Sequence, residues 1–215
     1  MNTKAEEFKF QFITNQWSII PLDKQVEEVC KAGCRWIQLR LKDTPYEQWL
    51  QKAIEIRAIS KKYDATFIVN DNVEIALKTD ADGVHVGKED MNPEKARELL
   101  GNKKITGATA NTLNDILELY DKGIDYIGLG PYRETQTKDK LSPVLGIHGY
   151  NRIISELRIR NISIPIIAIG GIKLEDVGKL TGTGISGIAV SSLITDHEDP
   201  YQMTSLLLKK IYSLC

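Results

Sequence analysis

Asp71 and Asp90 each follow a short apolar run, FIVN in one case and GVHVGKE in the other. If both runs are parallel strands of one sheet, the strand ends bring the two carboxylates to a common rim, where a hard cation is their natural ligand. A plainer role competes with this one: Asn70 or Asp71 could cap the helix that begins near Val73, since Asn and Asp lead the N-cap preferences. Three cations join the acids. Arg40 shares a strand face with Gln38 and lies beside Lys42, while Lys138 sits in a long loop that would cross the same rim. Gly170-Gly171 and Ser191-Ser192 add glycines, which let backbone N–H groups approach an anion, and hydroxyl donors. Taken singly, the glycines could be a tight turn and the serines a helix cap. Together these groups would neutralise more than one phosphate. A diphosphate with Mg²⁺, bound through one or two carboxylates and the phosphate oxygens, suits the charges present. No nucleophile and base pair stands out: His85 lies within a strand pattern, and His148 and His197 read as loop residues with structural or solvent-facing roles.

The elements that must position these groups alternate. Strand patterns at 8–14, 35–41, 65–70, 83–87, 104–109, 126–130, 164–169 and 187–192 are each followed by a helix pattern. Helix starts are signalled by Thr44-Pro45-Tyr46-Glu47 and Thr112 to Asp115, both read as capping boxes, and by Asn92-Pro93 and Asp199-Pro200. Eight such pairs without a linker or composition break predict one (β/α)₈ TIM barrel spanning residues 1–215, with its active site at the C-terminal ends of the strands. An open doubly wound sheet is the alternative, but no GxGxxG follows the first strand, and the glycine-rich strand ends fall late, where barrels commonly bind phosphate. The expected rim then carries Gln38, Arg40, Lys42, Asn70, Asp71, Asp90, Thr109, Asn111, Thr135, Thr137, Lys138, Gly171, Ser191 and Ser192. PYRETQTKDKLSPVLGIHG is the longest stretch without a helix or strand pattern, and loops of that length in compact proteins are usually functional.

Composition narrows the partners. A formal net charge of −1 supplies no general field for nucleic acid or an anionic membrane, so phosphate binding must come from a local cluster. No apolar run is long enough to span a bilayer, and MNTKAEEFKF lacks the apolar core of a signal peptide. The three cysteines, Cys30, Cys34 and Cys215, have no metal-ligand spacing; Cys30 and Cys34, four apart on an expected helix, read as small packing residues. The expectation is a reduced, cytoplasmic protein with small-molecule substrates, and a homodimer is one assembly open to it.

The ordered segments QLRLK, FIVNDNVEIALKTDADGVHVGKED, YIGLGPYRETQTK, PIIAIGGI and GIAVSS resemble the thiamine phosphate synthase family from about Phe10 to about Ser192. The resemblance implies an Mg²⁺-dependent transferase that joins a hydroxymethylpyrimidine diphosphate to a thiazole phosphate and releases diphosphate. It further implies that substrate binds along Gln38, Leu39, Arg40, Leu41 and Lys42. Within the site, Gln38 and Thr109 would meet the pyrimidine, and Arg40, Lys42, Asn70 and Lys138 the diphosphate. Thr135, Gln136 and Thr137 with Gly171, Ser191 and Ser192 would hold the thiazole phosphate, Asp71 and Asp90 the metal. Arg40, Lys42 and Lys138 are then the catalytic cations of a dissociative mechanism. Leu41 stands where many members have Glu, and Thr109 where many have Ser, a change that keeps the hydroxyl. A related isomerase on the same fold, a thiazole tautomerase, would need a histidine where this chain has Asn111. Another phosphosugar barrel, such as an epimerase or aldolase with a general base or a Schiff-base lysine in the barrel mouth, and a non-catalytic phosphate-binding barrel are the remaining alternatives.

Overall fold

In the computed structural model, which describes residues 8–134 and 143–213, eight parallel strands close on themselves in chain order, β1 pairing with both β2 and β8. The strands are β1 Phe10–Ile13, β2 Trp36–Leu39, β3 Thr66–Asn70, β4 Gly83–Val86, β5 Ile105–Ala110, β6 Tyr126–Leu129, β7 Ile166–Ile169 and β8 Gly187–Val190. Between and after them run α1 Leu22–Lys31, α2 Tyr46–Lys62, α3 Val73–Lys78, α4 Pro93–Leu100, α5 Leu113–Tyr120, α6 Gly146–Ile159, α7 Val177–Thr181, α8 Ser192–Thr195 and α9 Pro200–Tyr212. A 3₁₀ turn, Leu174–Asp176, leads into α7. This is the (β/α)₈ TIM barrel expected from the alternation.

Each strand is buried on both faces, as parallel barrel strands must be. Phe10, Phe12, Ile37, Leu39, Phe67 and Val69 belong to the large core between sheet and helices. A second cluster, Phe8, Ile13, Trp36, Ile68, Tyr126, Ile167 and Ala189, fills the barrel itself. Trp36 and Tyr126 begin their strands, so with Phe8 they close the N-terminal end. Ring centroids of Trp36 lie 4.9 Å from both Phe8 and Tyr126, within the range favoured by edge-to-face pairs.

One device recurs at the helix-to-strand junctions. Asp82, just before β4, accepts the Phe67 N–H at 2.7 Å and pairs with Arg57 of α2 at 2.7 Å. Asp125, just before β6, accepts the Thr106 N–H at 2.9 Å and pairs with Arg97 of α4. Each aspartate thus ties a helix to the start of the strand that precedes it, fixing register and therefore where the opposite strand ends fall.

Most helix starts follow their local signals. Asn92 accepts from Glu94 N ahead of Pro93, Asp199 from Gln202 N ahead of Pro200, and Thr112 with Asp115 forms the expected capping box. Thr44 does not: Pro45 occupies the N-cap of α2, and the Thr44 hydroxyl donates instead to the Lys42 carbonyl at 2.9 Å. The long stretch after β6 ends earlier than its pattern suggested, because α6 begins at Gly146 and takes in His148. Cys34 lies beyond the end of α1, which stops at Lys31, yet it and Cys30 are fully buried as expected. Burial pushes the Cys34 thiol up to about 11 and that of Cys30 up to about 12.

Candidate active site

The rim is built first by strand register. Asn70 at the end of β3 pairs with His85, next to last in β4, and His85 with Gly107, three residues before the end of β5, so the three strand ends step along one rim. Immediately after Asn70 the backbone of Asp71 turns into the left-handed region, φ 63°, one of the few conformations there that Asp tolerates, while its N–H donates to the His85 carbonyl at 2.7 Å. Neither Asn70 nor Asp71 caps α3. That work falls to Asn72, whose side chain accepts from Ile75 N. The Asp71 carboxylate is therefore free of a helix-capping role.

It meets two partners. Lys42 Nζ forms an ion pair with Asp71 Oδ2, and the carboxyls of Asp71 and Asp90 are hydrogen-bonding neighbours. Asp90 also accepts the Gly87 N–H at 2.9 Å. Gly87 is small for a reason: a Cβ there would stand 2.5 Å from Asp90 Oδ2 and 3.7 Å from Asp71 Oδ1. Burial, then the adjacent Asp90 carboxyl, push Asp71 up to about 6 against the pull of Lys42. Two adjacent carboxylates at the rim form a donor pair suited to Mg²⁺, which takes few protein carboxylates and fills its remaining positions with water and phosphate oxygens. Among the described residues no cluster of three or more His, Cys, Asp or Glu side chains offers a cage for another metal.

Strand β2 supplies the next groups. Gln38 is buried on the interior face and donates to Gln11 Oε1 at 3.4 Å. Arg40 follows on the same face, its guanidinium 5.6 Å from the centre of the Trp17 ring, and its N–H donates to Thr14 Oγ1 at 2.9 Å. Lys42 is fixed at its backbone by Gln16, whose side chain accepts from Lys42 N at 2.6 Å and donates to Lys42 O at 3.0 Å. Leu39 and Leu41 point the other way, into the core between sheet and helices. Only their backbone is left to meet a ligand. Thr109, half-buried on β5, accepts or donates a hydrogen bond at 2.9 Å with His85 Nε2, and Asn111 donates to the Gly130 carbonyl.

The late strands gather the second cluster. Gly170 and Gly171 have φ of 93° and 64°, and a Cβ on Gly171 would lie 2.8 Å from the Glu134 carbonyl oxygen. So the β6 loop, where its described part ends at Glu134, packs directly on the glycine turn after β7. Thr135, Gln136, Thr137 and Lys138 lie outside the described residues. Ser191 stands at the N-cap of α8 without capping it by its side chain, so at this place too the simple structural role is not taken. Ser191 and Ser192 are both half-buried.

Sequence reading passed over the groups that lock this side of the rim. Arg133 makes a two-pronged ion pair with Asp176, at 2.6 and 3.0 Å, and donates to the Gly171 carbonyl at 3.0 Å. Burial opposes ionisation of Asp176, but Arg133 and the Lys173 N–H hold its carboxyl below the usual range. It also passed over Gln11 and Tyr126 inside the barrel. A polar residue alternating with Phe10 and Phe12 on β1 was the available sign.

Known proteins share the sequence and fold of this chain. The family described as thiamine monophosphate synthase matches residues 10–194. A thiamine-phosphate synthase of Flavobacterium psychrophilum is 46% identical over 94% of this chain and 98% of its own. One from Phocaeicola vulgatus is 46% identical over 93% and 96%. A solved thiamine phosphate pyrophosphorylase from Pyrococcus furiosus superposes with a TM-score of 0.87 at 33% identity, covering 98% of both chains. With a matching family profile over most of its length and relatives this similar across their whole length, the chain belongs to the thiamine monophosphate synthase family of transferases.

Proposed function

We propose that this chain joins an aminopyrimidine methyl diphosphate to a thiazole phosphate with Mg²⁺, through a carbocation and with loss of diphosphate. The observation that carries this reading is the line Lys42, Asp71, Asp90 at the rim, a cation and two acids brought together from three strand ends. Asp71 and Asp90 would hold the ion, which when bound supplies positive charge beside the departing diphosphate oxygens. Lys42, beside Asp71, would donate to the diphosphate, with Arg40 and Lys138 as further cations.

The pair of electrons in the methylene C–O bond leaves with the diphosphate, and the thiazole nitrogen closes the new C–N bond with its lone pair. That nitrogen has no proton to lose, so no general base is required. Gln38 and Thr109 would orient the pyrimidine, and Gly171, Ser191 and Ser192, with Thr135, Gln136 and Thr137, the thiazole phosphate. The proton shuttle an isomerase would need is not favoured by Asn111, a buried amide already engaged with a backbone carbonyl. A cytoplasmic setting belongs to the same reading, supported by the two buried free thiols.

The test is diphosphate release. It should require Mg²⁺ and both substrates together. Release without the thiazole would mark a hydrolase, and proton exchange on thiazole phosphate without release would mark the isomerase.

A further inference from the structure

Beneath the rim, side chains from five strands form one hydrogen-bonded line. Gln38 Nε2 donates to Gln11 Oε1 at 3.4 Å, and Gln11 Nε2 donates to the Tyr126 hydroxyl oxygen at 3.4 Å. The Gln38 amide reaches the same phenol. Tyr126 Oη lies 3.0 Å from His85 Nδ1, and His85 Nε2 lies 2.9 Å from Thr109 Oγ1. Gln11, Gln38 and His85 are buried and Tyr126 is wholly so. Room for the two rings is made by glycines: a Cβ on Gly107 would stand 2.2 Å from the Tyr126 ring, and one on Gly128 3.0 Å from the His85 ring.

We propose that this line fixes the hydrogen-bond polarity of the pyrimidine pocket, so that His85, Tyr126 and Gln11 are positioning residues that set specificity for an aminopyrimidine over a pyrimidinone. The inference rests on the functional reading above. Because the phenol oxygen receives amide N–H groups, its own proton goes to His85 Nδ1. An imidazole that accepts at Nδ1 carries its proton on Nε2 and donates it to Thr109 Oγ1. Thr109 must then send its hydroxyl proton outward. At the other end the Gln38 amide nitrogen is engaged with Gln11, which turns Oε1 away from it. Among the described residues neither Gln38 Oε1 nor the Thr109 hydroxyl proton has a further partner. The pocket therefore offers an acceptor at Gln38 and a donor at Thr109.

An aminopyrimidine presents the matching pair, an exocyclic N–H and a ring-nitrogen lone pair. In the 4-oxo analogue the amino donor becomes a carbonyl acceptor and a ring nitrogen becomes an N–H donor. Accommodating it would require both amides, the phenol, the imidazole tautomer and the hydroxyl to reverse together, since each shares an atom or proton with the next.

The experiment compares 4-amino and 4-oxo forms of the pyrimidine diphosphate on the wild type, Tyr126→Phe and Gln11→Leu. Tyr126→Phe keeps the ring that packs 4.9 Å from Trp36 and removes only the central hydroxyl. The wild type should prefer the amino form by about 10²-fold or more in kcat/KM, two mismatched buried groups costing roughly tenfold each. In both variants that preference should fall at least about tenfold, and KM for the aminopyrimidine should rise while KM for thiazole phosphate stays within about twofold. A purely structural role would lower the melting temperature without touching the ratio. Unchanged preference in the folded variants, or a wild type that takes both forms alike, overturns the inference. Should Tyr126→Phe fail to fold, the wild-type ratio and Gln11→Leu still decide. If the wild type releases no diphosphate from either form, the functional reading fails separately, and calorimetric binding of the two pyrimidines then tests the polarity alone.

Discussion

Lys42 pairs through Nζ with the same Asp71 carboxylate that lies against Asp90, so one side chain is held between a cation and an acid. Without a metal this is a compromise. Burial and Asp90 prevail over Lys42, and the folded protein binds a proton at Asp71 more tightly than the unfolded chain does.

The sign of the resulting pH dependence follows from linkage. With a folded value of about 6 against the ordinary 3.8, Asp71 favours the fold at low pH, and that contribution is lost as pH rises through about 6. Asp71→Asn should therefore stabilise the metal-free protein at pH 8, by at most about 3 kcal/mol for a shift of about two units. The gain should shrink toward pH 4. Urea unfolding of both proteins in chelator at the two pH values measures this, and a variant less stable at pH 8 would contradict it.

Metal dependence separates the two acids. Asp71→Ala removes the less exposed of the two proposed ligands, and its rate should fall on the order of 10² to 10³ even at saturating Mg²⁺ and substrates. Lys138→Ala is expected in the same range or worse. Asp90, more exposed than Asp71, should behave differently: Asp90→Asn should show a raised Mg²⁺ requirement with much of its rate recovered at high metal. Steady-state titration with Mg²⁺ distinguishes a shifted midpoint from a lowered plateau.

Gly171→Ala combines two costs, a φ of 64° that a side chain adopts poorly and a Cβ 2.8 Å from the Glu134 carbonyl. A loss on the order of 1 to 3 kcal/mol is expected. If the β6 loop is pushed off this turn, KM for thiazole phosphate should rise more than KM for the pyrimidine diphosphate. Equal rises would place the glycine outside the thiazole phosphate site.

Arg133→Ala leaves Asp176 buried without its two-pronged partner. Because Arg133 itself is partly exposed, the cost should be about 1 to 2 kcal/mol at neutral pH. Asp176 has a lowered folded value, so its contribution is present above the ordinary carboxylate range and is lost as pH falls through the folded one. The difference between wild type and variant should accordingly narrow in acid unfolding.

Cys30 and Cys34 are buried thiols held well above their ordinary range by desolvation. In the native protein neither should react with a thiol reagent at pH 8, and of three cysteines in the chain at most Cys215 should label quickly. All three should label after unfolding.

The architecture was legible because local signals agreed with one another: Asn92-Pro93, Thr112 with Asp115 and Asp199-Pro200 each open the helix they announced. Thr44-Pro45 misled because the proline's extended backbone took the cap position and the threonine turned back to Lys42. Asp71 and Asp90 were visible because strand ends are marked by the chain leaving an apolar run. The interior of the barrel was hidden for the opposite reason. In strands buried on both faces a single polar residue, such as Gln11 between Phe10 and Phe12, is only a weak sign of which side looks inward, so Gln11, His85 and Tyr126 read as ordinary strand residues. Leu39 and Leu41, which the family resemblance places along the substrate, lie on the face opposite Gln38 and Arg40.

Phe8, Trp36 and Tyr126 plug the end of the barrel away from the rim. Among the described residues this leaves the strand ends as the way in and out. Whatever enters at the strand ends must leave there, so the two products depart past the same groups that admitted the substrates.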